Sequence, residues 1–143
     1  MENLERCWHG VPGHVTKVMH MCCGYPSKLD DFDYPKADKL SYFDLAETVD
    51  RSCVDAVSLE DAHRHNELTL LERFQSKTVI LGSITIASSE LETEEAIRNR
   101  LVAALRHIDK DRLVVAPDCG LGFLPRHLAK AKLAAMCAAA RSL

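Results

Sequence analysis

Short apolar runs rich in β-branched residues alternate along this chain with longer segments whose apolar residues recur at helical spacing. VTKVMHMC, Val15–Cys22, reads as a buried strand, and VDAVSLE, Val54–Glu60, as a second. TVILGSITI, Thr78–Ile86, is the most continuous run, and its unbroken apolar character predicts a strand covered on both faces. RLVVAPDCG, Arg112–Gly120, is the fourth. Between them the pattern predicts helices. A short amphipathic one spans Glu2 to His9, and YFDLAETVDR follows Ser41 in the N-cap position. HNELTLLERF has apolar positions at Leu68, Leu71 and Phe74. SSELETEEAIRNRLVAALRHI has its acidic residues early and its basic ones late, which suits the helix dipole. LPRHLAKAKLAAMCAAARSL closes the chain, with Pro125 near its start.

Four strands alternating with helices imply βα units and a parallel sheet, an α/β fold. Two architectures satisfy this order: a small doubly wound sheet, or four βα units forming half of a (β/α)8 barrel. A complete barrel needs roughly 200 residues or more, and the chain has 143. Neither a linker nor a low-complexity tract interrupts it, so residues 1–143 are expected to form a single domain. The formal net charge of -3 is spread without a basic stripe, which argues against a nucleic-acid partner. No apolar run approaches the roughly 20 residues of a membrane span, and MENLERCWHG lacks the apolar core of a signal peptide. The expected compartment is the cytoplasm, where the six cysteines would be free, catalytic or metal-binding. They contain no CxxC pair, which excludes a zinc finger or a thioredoxin-like motif.

In parallel α/β proteins functional groups gather at the C-terminal ends of the strands. Here those ends carry His20-Met21-Cys22, Ser58-Leu59-Glu60 and Pro117-Asp118-Cys119-Gly120. His20 and Cys22 are two apart, so their side chains share a side of the strand. With Glu60 and Cys119 on other strand ends they can surround an ion, and mixed N, S and O donors suit zinc better than magnesium or calcium. Against this stands the plainer reading of packed core residues for His20, Cys22 and Cys119, with Glu60 a surface charge. Residue types alone leave both open.

HMCCG, VSLED and PDCGL occur in the order and near the spacing of the zinc-binding segments of cobalamin-independent methionine synthases and their shorter single-barrel relatives. The resemblance runs from about Lys17 to the closing helix. It implies the C-terminal half of a TIM (β/α)8 barrel and a Zn2+ ion held by His20, Cys22, Glu60 and Cys119, with Ser58 also matching the pattern. It further implies an S-methyltransferase of methionine biosynthesis, in which zinc activates the thiol of homocysteine towards a methylated folate. Two departures accompany it. The long synthases carry Asp-Ile-His-Ser where this chain has Thr85-Ile86-Ala87-Ser88. Ala87 thus replaces a histidine linked to the folate, and this opens the way to another electrophile, such as an epoxide, or another small thiol. The four βα units also leave out the first half of the barrel. Isolated, such a half is expected to be inactive and to associate with itself or with a partner supplying the rest, or else to serve only as an interaction protein.

Other residues are expected to play structural parts. Asp61 or Asn66 would cap a helix that begins at the second strand end, with His63 or Arg64 facing the pocket as the alternative. Cys23 must point away from Cys22. Asp118 is either an acceptor orienting the site or a turn residue. Cys7, Cys53 and Cys137 read as structural, His107 and His127 as solvent-facing, and Asp55 as a turn residue.

Overall fold

The computed structural model describes residues 2–143. Its strands are β1 Val18–Met21, β2 Ala56–Leu59, β3 Thr78–Gly82 and β4 Leu113–Ala116, all parallel and lying side by side in chain order. The helices are α1 Glu2–Cys7, α2 Ser41–Asp50, α3 Glu94–Ala104 and α4 Arg126–Arg141. Each strand is placed beside its predecessor without a reversal of order. That progression is the one in a (β/α)8 barrel and differs from the switched order of a doubly wound sheet.

The two faces of the sheet meet different surroundings because side chains alternate along each strand. Met21, Val57, Leu59, Val79 and Leu81 are buried on one face with Ala46 and Val49 of α2, Ile97 and Leu101 of α3, and Met136 and Ala139 of α4. Each large apolar side chain removed from water in this way stabilises the fold by about 1.5–3 kcal/mol. The register places His20, Ser58, Ile80 and Val114 in one row across the other face. That face is open. Val18 is 40% exposed and Val114 45%, while Thr78, Ile80 and Ser58 are half-buried.

This corrects two expectations. The first strand is not buried: it is an edge strand, shorter than Val15–Cys22, with Val15, Val18 and His20 exposed. Nor is the third covered on both faces, because Thr78 and Ile80 lie on the open one. A continuous apolar run arises equally when the second face awaits cover from elsewhere. Three helical assignments change as well. Ser41 is the first residue of α2 and not its cap; Asp38 Oδ1 accepts from the Leu40 amide at 2.9 Å, so an aspartate three residues earlier organises the start. HNELTLLERF forms only a 3₁₀ turn, Leu68–Arg73, that drives Leu70, Leu71 and Phe74 into the core. The long acidic-to-basic segment begins its helix late, at Glu94, where the Thr93 hydroxyl accepts from the Ala96 amide.

Two buried polar links fix the strand ends relative to the helices. Lys132 of α4, fully buried, donates to Thr85 Oγ1 and to both Glu92 oxygens at 3.0 Å. Burial pushes the Glu92 carboxyl up, but the Thr85 hydroxyl and amide together with Lys132 outweigh it and hold the group below the ordinary 4.5. Arg100 of α3 grips buried Asp61 through Nε at 2.7 Å and Nη2 at 2.8 Å, a bidentate pair.

Candidate metal centre

β1 ends at Met21, and the chain emerges with His20 and Cys22 on its open face, both exposed. β4 ends at Ala116, and Pro117-Asp118 carries Cys119 back over the same end of the sheet. As a result one ligand atom from each of His20, Cys22 and Cys119 lies within 4.8 Å of the others. This is the spread that a single tetrahedral ion with Zn–S near 2.3 Å and Zn–N near 2.0 Å can gather with small side-chain rotations. His20 Nδ1 lies 3.0 Å from Ser58 Oγ, its register partner on β2. With Nδ1 donating to that hydroxyl, Nε2 is left with its lone pair for a metal.

Glu60 stands outside this trio. It is buried at the end of β2, and its Oε1 accepts from Lys36 Nζ at 2.6 Å. It is still near enough to act on Cys22 electrostatically. Although Cys22 is exposed as a residue, partial desolvation of its thiol by the surrounding chain raises it above its ordinary value, the Gly24 amide partly opposes this, and the charges of Cys119, Glu60 and Cys23 add to the rise. A divalent cation reverses the sign of such an environment and favours the thiolates. The donor set therefore fits a thiophilic ion. Tyr42, buried behind the strand end, is held protonated by burial, by Cys23 and by the same negative groups, and donates to the Met21 carbonyl at 3.4 Å.

Asp118 ties the loops together. Oδ1 accepts from the amides of Asp61 and Ala62 at 2.9 Å each, and Oδ2 accepts from the His63 amide at 2.7 Å and pairs with His63 Nδ1 at 2.6 Å. Burial raises its carboxyl, but His63 and the three amides outweigh this and leave it lowered. His63 Nε2 in turn accepts from the Ala87 amide at 3.2 Å, so one imidazole joins the loops after β2, β3 and β4. The room for this comes from Gly82, where a Cβ would stand 2.0 Å from Asp118 Oδ1. The chain at 61–66 is irregular, with a bend over 62–64, and not a helix; Asp61 Oδ1 accepts from the Asn66 amide at 2.8 Å. Beside this network a cavity of about 440 Å3 is lined by Tyr34, Lys36, His63, Arg64, Ala87 and Glu90 among others. His63 and Arg64 thus do face a pocket.

The catalytic-domain model of the cobalamin-independent synthases matches residues 37–142. The chain belongs to the cobalamin-independent methionine synthase family. Among relatives of this family, a methionine synthase of Sulfurisphaera tokodaii is 31% identical over 84% of this chain and 31% of its own length. A 5-methyltetrahydropteroyltriglutamate–homocysteine methyltransferase of Listeria innocua is 31% identical over 71% of this chain and 12% of its own. A B12-independent methionine synthase from Shewanella sp. W3-18-1, solved in complex with selenomethionine, superimposes with a TM-score of 0.78 at 28% identity over 97% of this chain and 41% of that one. The chain thus spans about a third of the first curated relatives' length and two-fifths of the solved synthase. In this family's fold the four parallel strands form part of a barrel, and the open face with His20 and Ser58 is the one a closed barrel turns inward.

The remaining residues sort by environment. Cys23 is buried in the core, opposite Cys22, and Cys137 packs against that core; Cys7 and Cys53 are exposed, with Cys7 Sγ donating to the Asn3 carbonyl at 3.2 Å. His127 is exposed, whereas His107 pairs with Glu72 at 2.6 Å. Asp55 Oδ2 accepts from the Lys17 amide at 2.7 Å and pins the entry to β1. No helix among the described residues is long and apolar enough to cross a membrane. Nothing in the sequence around Lys36 signals its pairing, since it sits in a Pro- and Asp-rich loop 24 residues from Glu60.

Proposed function

We propose that this chain carries the metal-binding part of a zinc-dependent S-methyltransferase of the methionine synthase type. The observation behind the reading is the convergence of His20, Cys22 and Cys119 within 4.8 Å in a chain of this family. Two thiolates and an imidazole suit zinc over harder ions. When bound, that ion would supply a Lewis acid that lowers the pKa of a substrate thiol. The protein's own part is to hold Nε2 of His20 outward through Ser58, to present Cys22 and Cys119 from fixed strand ends, and to offer Glu60 as a fourth, exchangeable ligand. Catalytic zinc sites keep such an open position for water or substrate. The thiol would be that of homocysteine, and the electrophile the methyl group of a methylated folate, the pair in the Listeria innocua relative's name. The cytoplasm, which keeps ligand thiols reduced, is the compartment this reading implies.

One observation favours a second reading. Ala87 lines the cavity at the position where the family resemblance expects histidine, and its amide is occupied by His63. An alkyl donor other than folate, attacked by the same activated thiol, fits that wall.

Cobalt-substituted protein tests thiol recruitment directly. Homocysteine should strengthen the near-ultraviolet thiolate-to-cobalt absorption, and methionine, which has no thiol to ionise, should leave it unchanged. An identical spectrum with and without homocysteine would refute the proposed function.

A further inference from the structure

Residues 22–40 cross the mouth of the strands, and three hydrogen bonds pin this segment around Lys36. The Ala37 amide donates to the Cys23 carbonyl at 3.1 Å, Arg64 Nη2 to the Ala37 carbonyl at 2.6 Å, and Lys39 Nζ to the His65 carbonyl at 3.1 Å. Lys36 is consequently unlike a free surface lysine. Its ammonium lies 5.8 Å from the Tyr34 ring centroid and 2.6 Å from Glu60 Oε1, with the two ion-pair side chains only 12% and 4% exposed. A charge pair this dry holds because each member neutralises the other, and removal of one strands the other in a poor solvent.

We infer that Lys36 is a positioning residue that keeps Glu60 a weak, replaceable ligand and so favours a substrate thiolate at the metal's fourth position. The inference rests on the metal-site reading above. Charge counting supports it. Two cysteine thiolates neutralise a divalent ion, so a fourth anionic ligand, Glu60 or substrate, leaves one net negative charge. When the substrate takes the place, its thiol proton goes to solvent and Glu60 must remain buried without the metal. Lys36 supplies the counter-charge for that state. Among the described residues Lys36 is the cation paired with Glu60, so in its absence the metal becomes the carboxylate's counter-charge and Glu60 a firm fourth ligand that excludes the thiol. The selectivity therefore lies in a loop residue that need not touch the substrate.

The full chain is compared as wild type, Lys36→Met, Lys36→Arg and Lys36→Met/Glu60→Gln. Zinc affinity is read by competition with a chromophoric chelator, and homocysteine affinity by titration of the cobalt-loaded proteins. Lys36→Met should bind zinc about tenfold more tightly, on the scale of outer-shell effects, and homocysteine more weakly by a similar factor. Lys36→Arg should follow the wild type, and the double variant should regain homocysteine binding. Wild-type values in Lys36→Met for both ligands overturn the inference while leaving the metal reading intact. A wild type that takes up no metal overturns both. Should Lys36→Met fail to fold, as judged by circular dichroism, Lys36→Gln is read by the same criteria.

Discussion

Ser58 Oγ, 3.0 Å from His20 Nδ1, is the smallest feature on which the account depends. Ser58→Ala removes the acceptor that fixes the imidazole's tautomer without disturbing the core, since Ser58 is on the open face. Zinc affinity should fall about tenfold with the urea midpoint unchanged; an unaltered affinity would show that the ring is oriented by other means. Glu92 offers a test on the acid side. Its carboxyl is lowered in the folded chain, so the stability it contributes is complete above the ordinary 4.5 and is lost as pH falls through the lower folded value. Urea unfolding from about pH 6 to about pH 3 should show a steeper loss for the wild type than for Glu92→Gln; parallel curves would contradict the pairing with Lys132. His20, Cys22, Cys119 and Glu60 could be singled out as candidate ligands because ligand-type residues stand at strand ends, while residue types alone left core packing equally open; the fold brings the first three together and leaves Glu60 outside them. Lys36, Lys132 and Arg100 were not legible in the sequence, since each meets its partner through the tertiary fold, 24 to 40 residues away.

At the scale of elements, the site depends on β3 and β4 approaching closely enough for Asp118 to seat above Gly82. Gly82→Ala would put a Cβ 2.0 Å from Asp118 Oδ1 and 2.9 Å from its Cα, and the second contact is backbone. The loop bearing Cys119 must then move, and the amides of Asp61, Ala62 and His63 lose their acceptor. A destabilisation of roughly 3 kcal/mol in urea titrations is expected, together with weaker zinc binding; wild-type stability would mean the loop adjusts freely. The pattern left the order of the strands open between a half-barrel and a doubly wound sheet, but their parallel sense could be read from it. Their lengths could not. β-branched residues continue past Gly82 into Ser83–Ile86, but there the chain bends to meet the Glu92–Lys132 pair and the loop of Asp118. The 3₁₀ turn at Leu68–Arg73 was equally hidden, as its buried Leu70 and Leu71 are adjacent and follow no helical spacing.

For the whole molecule, one face of the sheet is covered by helices and the other is open, with β1 and β4 as free edges. Val18 and Val114, at 40% and 45% exposure, lie on that open face. Unpaired edges beside exposed apolar side chains promote association. Sedimentation of this chain should therefore depend on concentration, and Val114→Lys should shift it towards monomer; a wild type that stays monomeric at high concentration would contradict this.

The central claim is that these four βα units assemble a metal site from β1 and β4. It is tested most directly by elemental mass spectrometry of the purified, extensively dialysed chain beside a Cys22→Ala/Cys119→Ala variant of equal helical content. Close to one zinc per chain is expected in the parent and essentially none in the variant. Folded parent protein without zinc, or equal zinc in both proteins, would contradict it.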